Sequence, residues 1–368
     1  MKCCEISFLF AGADVTDAGA ERTTALSQAL IREVLGRLAE GRTMSEDQTE
    51  EVFNVIMAGE ATPAQVGGLL MALRVRGETV DEITGAARAM RSRALTITAP
   101  DGAVDTCGTG GDGAGTYNIS TAVAFVVAAC GVPVAKHGNR ASSSKSGSAD
   151  VLAALGVKVD ADLALVQKSL TEINLGFLMA PRHHQAMRNV APVRVELGTR
   201  TIFNLLGPLA NPAGITRQVV GVFAKHWVKP MAEVLGRLGA THAWVVHGSD
   251  GLDELTITGP SFVAEWKDGA VSTFAIDPSH AGLTVSDGTA LKGGDATFNA
   301  HALVTLLDGA SGAYRDIVVL NAAAALIVAG KASDLRAGAA MAAQAIDSGA
   351  AKAVLKSLSE ITNQTSGS

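Results

Sequence analysis

Residues 103–135 read AVDTCGTGGDGAGTYNISTAVAFVVAACGVPVA, and this stretch decides the fold. A short apolar run at 103–107 leads into a glycine-rich loop, and a longer apolar run at 121–130 is followed by a second short one at 132–135. Short β-rich runs that alternate with helical runs are typical of a parallel sheet flanked by helices. We therefore predict an α/β domain whose first strand ends at the glycine loop.

The same alternation continues towards the C-terminus. After a further apolar run at 149–155, strands are predicted at residues 219–223, 243–246, 255–258 and 263–266, and a helical region is predicted from 317 to about 358. The fold class is therefore α/β, with a mainly parallel central sheet flanked by helices.

Residues 26–95 have a helical period instead. Apolar residues recur there at intervals of three and four, as at Leu30, Ile31, Val34, Leu35 and Leu38. Ser45 with Gln48 resembles a capping box, and Thr62 before Pro63 is typical of the start of another helix. The pattern predicts a small all-helical N-terminal domain of about four helices. Residues 1–23 show no periodicity and are expected to be an extension without fixed structure.

The composition excludes several classes of protein. With 48% hydrophobic and 18% charged residues in 368, the chain is too apolar for a disordered protein. Its four cysteines include no CxxC pair, so neither a disulfide scaffold nor a zinc site is indicated, and a cytoplasmic location is expected. The net charge of -6 disfavours nucleic acid as a partner. The longest apolar stretch, 121–135, is too short to span a membrane.

The glycine-rich loop is the first chemical signal. Backbone amides between a strand and a helix form an anion site at the carboxyl edge of a sheet. Gly108, Gly110 and Gly113 match the dinucleotide pattern GxGxxG, but the helix is expected to begin several residues later. Asp112 would also lie against a phosphate, which is reasonable only if Mg²⁺ lies between them. A plain turn with a helix cap at Ser120 is the alternative.

Three further segments carry chemical signals. Residues 136–150, KHGNRASSSKSGSAD, combine three basic side chains with five serines, which suits a ligand with several phosphate oxygens, although a solvated polar loop is the alternative. Asp253 and Glu254 are common residue types in surface loops, but beside two phosphate loops they are candidate Mg²⁺ ligands. Arg194 and Arg200 lie in an apolar stretch and need an anionic partner, either a carboxylate such as Glu196 or one of the substrate.

Taken together, four segments resemble the anthranilate phosphoribosyltransferases of tryptophan biosynthesis. They are GTGGDGAGTYNIST at 108–121, KHGNRASSSKSGSAD at 136–150, VRVELGTRTIFNLLGPLANP at 193–212 and DEL at 253–255. The resemblance covers about residues 25–360. It implies a helical domain at 24–96 that also includes about 184–206, an α/β domain at 97–183 and 207–360 that binds phosphoribosyl pyrophosphate, and a tail at 361–368. It also implies a homodimer formed through the helical domain.

The resemblance further implies the site residues. Those for phosphoribosyl pyrophosphate are Gly108, Gly111, Asp112, Thr116, Asn118, Ile119, Ser120, Thr121, Lys136, His137, Gly138, Asn139, Arg140, Ala141, Ser142, Ser143, Ser144 and Ser148. Anthranilate would contact Gly108, Asn139 and Arg194. The Mg²⁺ ligands, for two ions per subunit, would be Ser120, Asp253 and Glu254. No acid or base is implied, because Lys136 and the metal would stabilise charge. Gln185 departs from the family, in which proline is usual.

Other functions remain as alternatives. A nucleoside phosphorylase of the same fold would share the glycine and serine loops but has no reason to keep Arg194 or the KHGN sequence at 136–139. A catalytically silent relative that binds nucleic acid is disfavoured by the acidic charge balance. A dinucleotide-dependent oxidoreductase is disfavoured, because no acidic residue about twenty positions after Gly113 ends a second strand. We expect small-molecule substrates and neither a nucleic acid nor a membrane as partner.

Overall fold

The structure is a computed structural model that describes residues 15–141 and 145–365, with side chains from residue 25 onward. The strands are β1 (Val104–Gly108), β2 (Val134–Gly138), β3 (Leu175–Met179), β4 (Arg217–Gly221), β5 (His242–Gly248), β6 (Ser261–Lys267) and β7 (Ala270–Ile276). The helices are α1 (Val15–Ala39), α2 (Glu46–Ala58), α3 (Pro63–Arg76), α4 (Val80–Ser92), α5 (Ile119–Ala129), α6 (Ser148–Ala154), α7 (Leu163–Glu172), α8 (Ala180–His183), α9 (Ala191–Leu197), α10 (Phe203–Leu209), α11 (Val228–Arg237), α12 (Ala296–Leu307), α13 (Ala313–Val328), α14 (Leu335–Asp347) and α15 (Ala350–Thr362).

One sheet of seven strands has the order β3-β2-β1-β4-β5-β6-β7. The first five strands in this order are parallel, while β6 and β7 pair antiparallel at one edge. Strands β1 to β5 are almost entirely buried, as expected for parallel strands covered on both faces. The predicted fold class is confirmed.

Alternate residues of β4 and β5 face two different hydrophobic cores. On one face, Val219 and Val246 pack with α5 and the C-terminal helices. On the other face, Val220 and Val245 belong to a core that also contains the apolar residues of α1 to α4. Residues of the later segment 190–206 lie in this second core together with the N-terminal helices.

The N-terminal helices begin where local chemistry predicts. Ser45, Thr62 and Thr79 each accept a hydrogen bond from the backbone of the third helical residue, whose side chain returns one, so α2, α3 and α4 all have complete capping boxes. Pro63 occupies the first turn of α3. Four N-terminal helices are therefore present in the described residues, as predicted. None of the described helices is at once long enough and apolar enough to cross a membrane.

The expected ends of the folded chain need correction. Helix α1 begins at Val15, within the stretch 1–23 that we expected to be without fixed structure, because no proline interrupts the chain there and alanine, glutamate and arginine favour a helix. Residues 1–14 lie outside the described residues. At the other end, α15 continues to Thr362, slightly past the predicted boundary at 360.

Three strand predictions also need comment. The predicted strand at 255–258 is wrong, because the side chain of Asn321 takes both backbone hydrogen bonds of Leu255 that a neighbouring strand would need. The sequence patterns above predict neither β3 nor β7. For β7 the sequence does contain a signal: Asp268 and Gly269 both have positive φ between β6 and β7, and an Asp-Gly pair between β-rich runs is a strong hairpin indicator.

Candidate active site

Loops from three parts of the chain meet where the strand order reverses. Strand β1 lies between β2, which follows it in the chain, and β4, which follows much later. In an open parallel sheet such a switch point leaves a crevice at the carboxyl ends of the strands, and ligands bind there. The glycine loop leaves β1 at this edge, and α5 begins at Ile119, not at the third glycine of the GxGxxG match. The expected late helix start is confirmed.

Two glycines allow the loop that carries Asp253 to lie directly on the strand ends. Gly108 and Gly221 are paired in register as the last residues of β1 and β4. A Cβ atom on Gly221 would overlap the backbone of Asp253, and one on Gly108 would overlap the Asp253 carboxylate. The Gly110 N–H also donates to Asp253 Oδ2, 2.7 Å away. The absence of side chains at the switch point is therefore what places this carboxylate beside the glycine loop.

The carboxylates of Asp112, Asp253 and Glu254 lie close enough together to affect one another's pKa. Burial and the charge of Asp112 raise the pKa of Asp253 to about 7. Burial and the Asp253 carboxylate raise the pKa of Glu254 well above its usual range, although Lys136 lowers it. The backbone N–H of Ser120, at the start of α5, donates to Glu254. Neighbouring acidic groups that are costly to ionise together suit a bound cation, which would favour their charged forms.

The donor set fits Mg²⁺. Carboxylate oxygens are its usual protein ligands, and magnesium in phosphate-binding enzymes is held by one or two carboxylates together with substrate phosphates and water. Among residues 15–141 and 145–365, no group of three or more His, Cys, Asp or Glu side chains is assembled as a metal site by itself.

Lys136 is a buried cation in the middle of β2. It is 3% exposed, and its Nζ donates to the Thr106 carbonyl oxygen at 2.6 Å. Asp105 beneath it is buried and accepts from the His137 N–H at 3.2 Å and from Asn211 Nδ2 at 2.8 Å. Burial raises the pKa of Asp105, while Lys136 lowers it. These contacts hold the ends of β1 and β2 in a fixed relation to each other.

The loop after β2 folds around Asp150. Asp150 Oδ2 accepts from the backbone N–H groups of Ala141 at 2.8 Å and Gly147 at 3.0 Å, and Oδ1 pairs with Arg140 at 3.0 Å. Burial acts to raise the pKa of Asp150, but these hydrogen bonds outweigh it and lower the pKa. Asn139 N–H donates to Ser148 Oγ at 3.2 Å. The predicted contacts at Ser142, Ser143 and Ser144 lie outside the described residues.

The two arginines of the 193–212 segment differ in their surroundings. Arg200 donates to the Gly111 carbonyl oxygen and stacks on Phe223 at 4.4 Å, so it supports the glycine loop. Arg194 lies 5.4 Å from the Phe203 ring centre, and burial lowers its pKa. Within the described part of the chain, neither arginine forms an ion pair with Glu196. Arg194 therefore keeps a positive charge available for a ligand anion.

Three histidines are buried in the structure. His183, His184 and His242 are 1%, 4% and 8% exposed, and His242 begins the buried strand β5. The His184 ring lies 5.2 Å from that of His137. Burial and neighbouring histidines lower the pKa of His137 to about 3 and that of His184 to about 4. Both rings are therefore neutral at physiological pH.

We expect this burial to make the protein sensitive to acid. Because the unfolded chain binds these protons more readily, stability falls as pH drops below about 6.5, at roughly 2 kcal/mol per such histidine between pH 7 and 5. The variant His184→Gln should lose less stability over this interval, as measured by urea unfolding at both pH values. His301→Gln changes an exposed histidine and should keep the wild-type difference. Equal losses in His184→Gln and wild type would contradict the assignment.

The sequence analysis does not identify several residues around this site. Gly221 falls within the strand predicted at 219–223, and a glycine inside a strand often marks a close backbone approach. Asn211 and Asn299 are buried amides: Asn211 donates to the Asp105 carboxylate and the Ala135 carbonyl oxygen of β1 and β2, and Asn299 donates to Asn118 at the end of the glycine loop. A buried asparagine has no sequence pattern of its own, so only the structure identifies it.

The chain is similar to known proteins over most of its length. Residues 32–94 match the family model "Glycosyl transferase family, helical bundle domain", and residues 100–352 match "Glycosyl transferase family, a/b domain". An anthranilate phosphoribosyltransferase of Paramagnetospirillum magneticum is 67% identical over 344 residues, which cover 94% of this chain and 99% of that protein.

Solved structures of anthranilate phosphoribosyltransferases are also similar to this chain. The anthranilate phosphoribosyltransferase of Thermus thermophilus has a TM-score of 0.85 and 45% identity, covering 90% of this chain and 99% of its own. That of Saccharomyces cerevisiae in complex with PRPP and Mg has a TM-score of 0.82 and 27% identity, covering 91% and 98%. The yeast enzyme in complex with 4-fluoroanthranilate has the same TM-score and 25% identity, with the same coverage.

Proposed function

The chain belongs to the anthranilate phosphoribosyltransferase family, and we propose from this premise how its residues bind both substrates and promote the reaction. The enzyme is a pentosyltransferase of tryptophan biosynthesis. It transfers the phosphoribosyl group of phosphoribosyl pyrophosphate to the amine of anthranilate. A C–N bond forms at C1 of the ribose, the bond to pyrophosphate breaks, and the amine loses a proton.

Phosphoribosyl pyrophosphate occupies the crevice at the switch point in this proposal. The glycine loop and the start of α5 offer backbone N–H groups, while Lys136 and the loop after β2 offer positive charge. The residues assigned to this substrate are Gly108, Gly111, Asp112, Thr116, Asn118 to Thr121, Lys136 to Ser144 and Ser148. The observation that supports it best is the convergence of Lys136, the glycine loop and the acidic pair on one edge of the sheet.

Magnesium is assigned to Ser120, Asp253 and Glu254, with two ions per subunit. When bound, the metal neutralises charge that develops on the departing pyrophosphate. Asp253 is held for this role by the Gly110 N–H, and Glu254 by the Ser120 N–H. The solved yeast complex with PRPP and Mg supports the choice of metal.

The protein needs no strong base for this reaction. An aryl amine is already neutral at pH 7 and can attack directly. The protein contributes mainly by holding the amine in line with the ribose and by placing the buried ammonium of Lys136 near developing negative charge. His137 stays neutral and so adds no positive charge beside the ribose, where positive charge develops.

Arg194, with Asn139 and Gly108, is assigned to anthranilate. We expect Arg194→Ala to raise the anthranilate KM by about tenfold to a hundredfold, because a charge-assisted hydrogen bond to the carboxylate is lost. The KM for phosphoribosyl pyrophosphate should change little. Arg200→Ala is the matched control, since Arg200 supports Gly111 and should affect the phosphate substrate instead. An unchanged anthranilate KM in Arg194→Ala would make Arg194 a structural residue.

The proposed activity is tested by the loss of anthranilate fluorescence. Purified protein is mixed with anthranilate, phosphoribosyl pyrophosphate and Mg²⁺, and a second sample contains a chelator. We expect turnover that the chelator abolishes. If no turnover occurs although phosphoribosyl pyrophosphate still raises the melting temperature, the acceptor is a different small molecule.

The enzyme is further proposed to be a cytoplasmic homodimer that associates through its helical domain. Leu26 of α1, Val75 of α3 and Val195 of α9 are 66%, 81% and 80% exposed, and these helices pack against one another. Exposed apolar side chains on neighbouring elements are typical of an interface between subunits. Cys107 and Cys130 are free thiols, as expected in a reducing compartment. Sedimentation of the wild type should give twice the monomer mass, and Val75→Asp should reduce it.

A further inference from the structure

We propose that Asn299, in α12, is a positioning residue that fixes the spacing of the two phosphate-binding loops through Asn118. Asn299 lies outside all four segments that carry the family resemblance. It is 2% exposed, and its side-chain amide donates a hydrogen bond to Asn118. The inference rests on the proposed function, because it concerns how the phosphoribosyl pyrophosphate site is held together.

A continuous chain of hydrogen bonds links the two loops. The Gly294 N–H donates to Asn299 Oδ1 at 2.8 Å, and Asn299 Nδ2 donates to Asn118 Oδ1 at 2.9 Å. Asn118 Nδ2 then donates to the Ser146 carbonyl oxygen at 3.2 Å. Asn118 ends the glycine loop, and Ser146 belongs to the loop after β2. The two loops are therefore connected through one amide side chain, which Asn299 orients.

The donor and acceptor groups at the two ends of this series of hydrogen bonds determine its direction. A backbone N–H such as that of Gly294 can only donate, and a carbonyl such as that of Ser146 can only accept. Each amide between them must therefore present its oxygen towards Gly294 and its nitrogen towards Ser146. If Asn299 lost its donor, the Asn118 amide could no longer satisfy both Asn299 and the Ser146 carbonyl, and only the Ser146 hydroxyl, 3.4 Å away, would still donate to its Oδ1. Because Asn299 is buried and Asn118 is half-buried, an unmet partner between them is costly, so the loops would shift relative to each other.

Other contacts show that this part of the chain holds the glycine loop. The Gly293 N–H donates to the Gly115 carbonyl oxygen at 2.9 Å, and the Tyr117 N–H donates to the Leu291 carbonyl oxygen at 3.1 Å. A Cβ atom on Gly293 would overlap the Thr116 carbonyl. The loop is thus paired with the segment just before α12 and follows any movement of it.

Tyr314, in α13, makes a second contact with Asn118. Its hydroxyl donates to the Asn118 carbonyl oxygen at 3.3 Å, and its ring stacks on that of Tyr117 at 4.3 Å. Asn118 is therefore held at its side chain by Asn299 and at its backbone by Tyr314. Both contacts come from the C-terminal helices, which bear none of the residues assigned to either substrate.

The test is the variant Asn299→Asp. It keeps an oxygen to accept from Gly294 but presents a second acceptor to Asn118 Oδ1, so the chain of hydrogen bonds is broken with almost no change in shape. We expect the KM for phosphoribosyl pyrophosphate to rise by about tenfold while the anthranilate KM stays within about twofold. Calorimetric titration with phosphoribosyl pyrophosphate and Mg²⁺, without anthranilate, should show the same weakening.

Asp295→Ala is the matched control. Asp295 caps α12 by accepting from the Phe298 N–H at 2.8 Å, so its loss loosens the same helix without removing the amide contact. We expect it to lower the melting temperature but to leave both KM values near those of the wild type. An equal rise in KM in both variants would show that helix stability alone matters and would overturn the proposal.

Tyr314→Phe keeps the inference testable if Asn299→Asp does not fold. It removes only the hydroxyl that reaches the Asn118 carbonyl and keeps the ring stacked on Tyr117. We expect its KM for phosphoribosyl pyrophosphate to rise by about two- to threefold. Wild-type values in both variants, with an active wild-type enzyme, would refute the positioning role. Absence of turnover in the wild type would instead refute the proposed function.

Discussion

Replacement of Asp253 or Glu254 by alanine should lower kcat/KM by about a hundredfold to a thousandfold while the protein remains folded. Both carboxylates lie at the switch point of the sheet, and burial first and neighbouring carboxylates second raise their pKa values. Without a cation this repulsion is unfavourable. The variants should therefore be at least as stable as the wild type when Mg²⁺ is absent.

Conservative variants separate charge from shape. Asp253→Asn can still accept from the Gly110 N–H, and Glu254→Gln keeps the side-chain length, so both retain the local geometry. They should nevertheless lose most of the activity, and Mg²⁺ should no longer raise their melting temperatures in the presence of phosphoribosyl pyrophosphate. Asp268→Asn, in the turn between β6 and β7, is the control and should behave as the wild type. Wild-type rates in both alanine variants would refute the metal assignment.

The second large effect is expected for Gly221→Ala. A Cβ atom at this position would overlap the Asp253 backbone, and backbone cannot move aside as a flexible side chain can. Such overpacking costs typically about 1–3 kcal/mol of stability. Displacement of the loop would also move both carboxylates, so we expect kcat/KM to fall by about a hundredfold, since small misplacements of catalytic groups have effects of this size.

Two other glycines provide the comparison. A Cβ atom on Gly108 would meet mainly the carboxylate of Asp253, which can rotate, so Gly108→Ala should lower activity with a smaller loss of stability. Gly36, within α1, has no atom within 4 Å of its Cβ position. Gly36→Ala should leave activity unchanged and stabilise the helix by about 0.5–1 kcal/mol. Thermal unfolding and steady-state rates of the three variants test whether the losses of stability and activity decrease from Gly221→Ala to Gly108→Ala to Gly36→Ala. Equal stability and activity of Gly221→Ala and Gly36→Ala would contradict this order.

Local sequence is enough to predict those features that depend on residues close together in the chain. The caps at Ser45 and Thr62 act within one helical turn, and the alternation of apolar runs sets the class of the sheet. The four segments of the family resemblance are likewise continuous stretches, so they could be recognised without coordinates. They also sufficed to indicate a phosphate ligand and the acidic pair.

The tertiary structure alone decided how these pieces meet. The contact between Gly110 and Asp253 joins residues 143 positions apart, and that between Asn118 and Asn299 spans 181 positions. The strand order brings such residues together, and no local pattern encodes it. The same holds for His184, which is buried although no local pattern predicts it, and for Leu255, whose backbone Asn321 binds in place of a strand. Burial and hydrogen-bond partners depend on the packing of the whole chain, and this is why they could not be read from its segments.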